Sequence, residues 1–207
     1  QPDFGYITNF GKAHLEGFGG TEGVIKGKSE LYAYLSTNQK TAFVNTDDII
    51  QNEKTKDLNR ITFGLNKAEN FVNILKIETN PMVKIEFEDT IIQSHLIGLY
   101  NANNINAAIT IGKHFGVSNE QIKFGLENYI PNNNRSQLLE KHSNKIILDA
   151  YNANPSSMNA ALTNFFQLEE KNKVAILGDM FELGIESSDE HKKLIEFCFN
   201  QEDIIFH

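Results

Sequence analysis

From residue 145 onward the chain alternates short apolar runs with amphipathic stretches that carry helix-start signals. Residues 145–149, 173–177 and 203–206 read as buried strands, with helices over 155–168 and 187–199 between them. Asn154 is placed to cap the first helix, and Pro155 stands at its first position, where a missing N–H costs nothing. Ser187-Ser188-Asp189-Glu190 has the spacing of a capping box for the second. This order leaves few folds open, because strands joined through helices run parallel with right-handed crossovers. In such sheets ligands bind beyond the carboxyl ends of the strands, here residues 149–154 and 178–182.

The first 130 residues have a different texture. Residues 6–10 read as a strand, 21–35 as a helix that Thr21 can cap, and 41–45 as a second buried strand. Residues 46–48 form a turn or a helix start. Residues 60–64, 71–78, 82–88 and 90–97 read as four short strands of an antiparallel meander, separated by Asn-Pro and Glu-Asp turns. Residues 102–115 and 118–129 read as helices, the second opened by Ser118 with Gln121 three positions on. Ile130-Pro131-Asn132-Asn133-Asn134-Arg135 breaks all periodicity. The expectation is an α/β chain of two domains, 1–133 and 134–207.

Charge and composition narrow the function. The net charge is −8, and no basic run exceeds two residues, which argues against a nucleic-acid surface. A nucleotide remains compatible, because backbone amides hold phosphates whatever the total charge. The single cysteine, Cys198, excludes an internal disulfide and reads as a small buried hydrophobe. No apolar run reaches the ~18 residues of a membrane helix. A cytoplasmic protein is expected. The start at Gln1 and the end in an apolar run lead us to expect a piece of a longer protein.

Several residues invite chemistry, each with a plainer reading beside it. Gly23-Val-Ile-Lys-Gly-Lys28-Ser29 ends like a phosphate-binding loop, but it has one residue too few between its glycines and lies inside a helical pattern, so it is rejected. Lys28 falls on an apolar stripe with Val24, Leu31, Tyr32 and Leu35, where a lysine must snorkel, pair or be chemically changed. His14 lies in a glycine-rich turn after a strand, as a ligand-reaching or a surface histidine. Asn101 and Asn104 open a helix, as amides for a base edge or as caps. Asp149 precedes an asparagine-rich turn and a helix start, as a phosphate-side contact or again a cap.

Taken in order, these motifs resemble the Mur ligase family. The matching residues are Thr8-Asn9, Ala13-His14-Leu15-Glu16-Gly17-Phe18-Gly19, Gly27-Lys28-Ser29-Glu30-Leu31-Tyr32 and Asn45-Thr46-Asp47-Asp48. They continue through Gly98-Leu-Tyr-Asn101-Ala-Asn-Asn104, Asn134-Arg135, Asp149-Ala-Tyr-Asn152-Ala-Asn154-Pro155 and Gly178-Asp-Met-Phe-Glu-Leu-Gly184, with His191 after them. The last two are most similar to the branch that adds D-alanyl-D-alanine. Where members often carry histidine, this chain has Tyr100.

The resemblance implies the second half of a central ATPase domain followed by the first half of a Rossmann-like C-terminal domain. It implies ATP-dependent amide formation in peptidoglycan synthesis, in which an acyl phosphate forms on UDP-N-acetylmuramoyl-tripeptide and the D-alanyl-D-alanine amine displaces phosphate. It makes His14 and Lys28, the latter carbamylated, the catalytic residues and Mg²⁺ ligands. It sets Asn101 and Asn104 at the adenine, and Arg135 and Asp149 at the nucleotide, with Asn152 and Asn154 in the same turn. The family's phosphate loop, first domain and chain end would lie outside these residues, so the fragment alone is expected to be inactive. A monomeric complete enzyme is expected, without nucleic acid or membrane insertion. The alternatives are a folylpolyglutamate- or cyanophycin-type ligase of the same superfamily, and a nucleotide-binding module without chemistry.

Overall fold

The computed structural model describes residues 1–199, 201 and 204–206. Their contacts group into two compact units, Gln1–Phe10 with Ile25–Pro131, and Gly11–Val24 with Asn132–His207.

The first unit is built on a six-stranded sheet in the order β1 to β6: Phe4–Tyr6, Thr41–Asn45, Asn59–Leu65, Val72–Thr79, Met82–Phe87 and Thr90–Ile97. β1 to β4 pair in parallel, and β4 to β6 are antiparallel. The expected four-stranded meander is thus three strands, and β3 belongs to the parallel part. Parallel neighbours ordinarily need a long crossover. Here the strands are staggered, with only Phe63, Gly64 and Leu65 facing Val72, Asn73 and Ile74. The chain steps back by a few residues, and the link 66–71 suffices. Asn66 N–H donates to the Ile74 carbonyl at 2.7 Å, and Asn73 accepts from the Lys67 amide at 2.8 Å.

Alternation along β5 buries Val83, Ile85 and Phe87. These pack with Phe63, Ile74 and Ile92, and with Ile105 and Ile109 of helix α4, Leu99–His114. The expected strand 6–10 is displaced: β1 covers Phe4–Tyr6 and shares only Tyr6 with it, while Ile7 and Phe10 enter a second apolar cluster with Tyr32, Leu35, Ala42 and Val44. Ser118 caps α5, Asn119–Glu127, in the expected reciprocal box with Gln121.

Helix α2, Thr21–Thr37, confirms that Lys28 and Ser29 sit within a helix rather than a phosphate loop. Before it lies the single turn α1, Leu15–Phe18. The corner between them is tight: a Cβ on Gly23 would stand 1.7 Å from the Phe18 carbonyl oxygen.

In the second unit β9, Lys173–Ala175, pairs in parallel with β10, Ile204–Phe206, through α7, Ser187–Phe199. The expected strand start at Asp203 and the chain end at His207 lie outside the described residues. β8, Asn144–Leu148, does not join β9 among the described residues. It forms a hairpin with β7, Gln137–Lys141, through the two-residue loop His142-Ser143, with His142 at φ 55°. A partner across a short loop costs little closure entropy, which favours the local pairing. Helix α6, Pro155–Phe166, begins as expected, with Asn154 capping Ser157 N–H at 2.9 Å. The expected box at Ser187 is absent: a 3-10 turn, Gly184–Glu186, runs straight into α7, so Ser187 lies within helical backbone.

Lys12 ties Gly11–Val24 into this unit. Its amide donates to Ser156 Oγ at 2.8 Å, and its Nζ reaches Glu190 Oε1 at 2.8 Å. Glu190 is buried, which opposes its ionisation, but hydrogen bonds from Lys12 and Lys193 outweigh this and hold its carboxyl below the usual range.

Two predictions follow from these contacts. Gly23→Ala drives a methyl into backbone and is expected to cost about 1–3 kcal/mol. The melting temperature should fall by about 2–4 °C per kcal/mol, whereas Gly125→Ala, with nothing within 4 Å, should not lower it. Lys12→Ala leaves the buried Glu190 carboxylate short of a charged donor, at roughly 1–3 kcal/mol. A depressed carboxyl pKa contributes stability that is lost as pH falls through the folded value. Removing Lys12 raises that value, so acid unfolding should begin at higher pH, as followed by circular dichroism.

Candidate functional site

In the first unit Lys28 is half-buried, one turn of α2 before Tyr32, which is 3% exposed. Its Nζ donates to the Asn9 carbonyl at 2.9 Å, the one hydrogen bond it makes among the described residues. Burial pushes the ammonium below its usual pKa. A lysine in this setting has an increased share of neutral, nucleophilic amine.

Asn101 and Asn104 come together at the start of α4. Asn101 is buried; its Nδ2 donates to the Ile97 carbonyl at 2.8 Å, and its Oδ1 accepts from Asn104 Nδ2 at 3.2 Å. The helix cap is Gly98 at φ 88°, three residues before Asn101, and a Cβ there would lie 2.5 Å from the Tyr100 ring. Asn101 therefore serves the helix start, and the exposed member of the pair is Asn104.

In the second unit His14 stands at φ 57° at the head of α1, with its Nδ1 against the Glu182 carboxylate. Glu182 sits at φ 59° in the Gly178–Gly184 segment, and its carbonyl accepts the Glu16 amide at 2.9 Å. Leu15, between those two contacts, is 1% exposed and packs with Leu162, Met180 and Leu183. His191 secures the same segment: Met180 N–H donates to Nε2 at 3.1 Å, and Nδ1–H donates to the Ser187 carbonyl at 2.8 Å.

The β7–β8 hairpin brings Arg135 and Asp149 to one end. Gln137 faces Leu148, so residues 135–136 and 149–150 continue side by side, and Ala150 N–H donates to the Asn134 carbonyl at 2.8 Å. The Arg135 guanidinium lies 3.7 Å from the centre of the Tyr151 ring. Asn152 bonds the next amide, Ala153, at 3.0 Å, and Asn154 caps α6. Arg135 and Asp149 are exposed.

Sequence reasoning quoted Glu182 and Tyr151 inside motifs without giving them roles. What would have found them is their pairing across the chain, Glu182 with His14 and Tyr151 with Arg135, which no local pattern encodes. Among the described residues, no three His, Cys, Asp or Glu side chains gather as a metal set. The donor chemistry present is an exposed imidazole held through Nδ1 and a lysine whose ammonium pKa is lowered by burial. An open cleft of about 690 Å³, lined by Asp179, Met180, Phe181, His191 and Lys192 among others, contains none of the eight residues singled out from sequence. No helix of the described residues is long and apolar enough to cross a membrane.

Residues 1–112 match the Mur ligase middle domain, and residues 134–205 match the Mur ligase glutamate ligase domain. A Bacillus subtilis protein named UDP-N-acetylmuramoyl-tripeptide--D-alanyl-D-alanine ligase is 29% identical over 195 residues, covering 93% of this chain and 43% of the relative. The crystal structure of MurF from Acinetobacter baumannii superposes with a TM-score of 0.85 at 30% identity, covering 100% of this chain and 47% of that one. MurF from Thermotoga maritima, solved with ADP, shares the fold at TM-score 0.81 and 24% identity, over 99% of this chain and 48% of its own. The chain thus spans less than half the length of each. The middle-domain match alone takes in more than half of the 207 residues, and the chain belongs to the Mur ligase family.

Proposed function

We propose that this chain is part of an ATP-dependent ligase that joins D-alanyl-D-alanine to UDP-N-acetylmuramoyl-tripeptide, with residues 1–133 in its ATP-binding domain and 134–207 in its C-terminal domain. The observation that carries this reading is Lys28, a half-buried amine on the apolar stripe of α2 whose pKa is lowered by burial. The similarity to proteins named for that reaction supports the substrates, and the ADP in the Thermotoga structure supports the nucleotide.

In the reaction the tripeptide carboxylate takes the γ-phosphoryl group of ATP, and ADP departs. The D-alanyl-D-alanine amine then attacks the acyl carbon, phosphate leaves, and an amide forms. This chain contributes charge and position. A neutral Lys28 amine adds to carbon dioxide, releases a proton and becomes a carbamate, which turns a cation into an anion. His14 and a carbamylated Lys28 each have donor chemistry that would suit Mg²⁺, whose charge would offset that developing on the transferred phosphoryl group. Arg135, flattened on Tyr151, offers planar guanidinium donors to phosphate or ribose oxygens. Asn104 presents an amide toward the nucleotide base, while Asn101 holds Asn104 in place. Asp149 is a nucleotide contact beside Arg135, and Asn152 and Asn154 shape the turn between them and α6.

The test is phosphate release by the full-length protein with ATP and UDP-N-acetylmuramoyl-tripeptide. Dependence on D-alanyl-D-alanine is expected; dependence on glutamate or aspartate instead would favour the folylpolyglutamate- or cyanophycin-type reading. Lys28→Ala should lower turnover by about 10²-fold or more, with partial recovery on adding a short carboxylate such as acetate. Unchanged turnover would remove Lys28 from the site. Arg135→Lys keeps the charge but loses the flat stack, and should raise the KM for ATP more than it lowers kcat.

A further inference from the structure

His14 has two ring nitrogens, and only one carries a hydrogen when the ring is neutral. A carboxylate has no hydrogen to give, so the nitrogen that faces Glu182 must be the donor. That nitrogen is Nδ1. The Nε2 lone pair is then the one left for a ligand. We propose that Glu182 is a positioning residue for His14: it takes the Nδ1 hydrogen, fixes the ring's tautomer and turns Nε2 out as the ligating atom. The proposal rests on the reading of His14 as an ion ligand given above.

Three further contacts keep Glu182 in register with His14. The Glu182 carbonyl accepts the Glu16 amide at 2.9 Å, so main chain and side chain of one residue grip both sides of Leu15. Leu15 packs with Met180 and Leu183, the buried residues on either side of Glu182. Gly184, at φ 56°, lets the chain pass close to Glu16, whose Cβ would lie 3.4 Å from a Cβ added there. His14 and Glu182 are themselves 56% and 59% exposed, so their pairing adds little to stability. Its effect is on direction. Carboxylates that hold the second nitrogen of a ligating histidine act in this way.

The experiment is nitrogen NMR of the full-length protein with isotope-labelled histidine, without metal, at mildly alkaline pH where an ordinary histidine is neutral. The His14 signals are assigned by their loss in His14→Gln. A free histidine side chain favours hydrogen on Nε2, so the expected pattern, hydrogen on Nδ1, is diagnostic. Glu182→Ala should return His14 to the Nε2–H form with the melting temperature nearly unchanged. Glu182→Gly is the second variant, because glycine suits the left-handed backbone at φ 59° and keeps the segment folded; it should give the same shift. Hydrogen on Nε2 in the unaltered protein, or Nδ1–H persisting in both variants, overturns the proposal. In turnover assays the Mg²⁺ concentration for half-maximal rate should rise about 10–100-fold in Glu182→Ala, with kcat at saturating Mg²⁺ retained. A protein with no Mg²⁺-dependent turnover would refute the ligase reading, while the tautomer result would stand or fall by itself.

Discussion

The apolar stripe of α2 is the constraint on which both units draw. Val24 packs with Leu15, Leu162, Met180 and Leu183, whereas Tyr32 and Leu35 pack with Ile7, Phe10, Ala42 and Val44. Residues of α2 thus enter two apolar clusters, each within its own unit. Lys28 stands on the same stripe, one turn before Tyr32. It is enclosed enough to lose hydration and remains outside the full burial that a cation could not bear. The lysine's altered chemistry is therefore a by-product of where a helix must be apolar.

Backbone demand explains which polar residues are occupied and which remain open. The first amides of a helix require partners. Asn154 meets that need in α6 and Ser118 in α5, so their side chains are committed. At α4 the cap is a glycine with no side chain, and Asn101 turns back to the Ile97 carbonyl instead. In each place the plain capping or local role is realised in the structure. Asn104 and Arg135 differ: both are exposed, and each is steadied by a neighbouring side chain, Asn101 and Tyr151 respectively.

Much of the fold was legible because it rests on local patterns. The periods of α2, α6 and α7, the strand pair over 82–97 and the caps at Ser118 and Asn154 follow from spacing alone. What the sequence concealed was pairing. That β3 would run parallel to β4 depends on an offset that leaves three residue pairs facing, and nothing in the composition of 59–79 specifies it. The hairpin partner of β8 was missed because its turn is His142-Ser143, without the Asn-Gly or Asp-Gly signature of a tight hairpin. The site residues were recognised by their motifs, but their partners, Glu182 and Tyr151, lie 168 and 16 positions from His14 and Arg135.

Those exposed side chains raise a physical question, since pairs in water are worth little and do not fix geometry by their own energy. The structure meets it through adjacent residues. His14 is followed by Leu15, Arg135 by Ser136 and Glu182 by Leu183, and each follower is buried. His14, Asn134, Ser136 and Glu182 also adopt left-handed φ values between 49° and 59°. Such a conformation costs a non-glycine residue about 1–3 kcal/mol and persists only where the surroundings over-determine it. At His14 and Glu182 the residue that follows, Leu15 or Leu183, is buried in one apolar cluster, and that packing holds the conformation. Burial of the anchors holds in place the exposed groups that would do the chemistry.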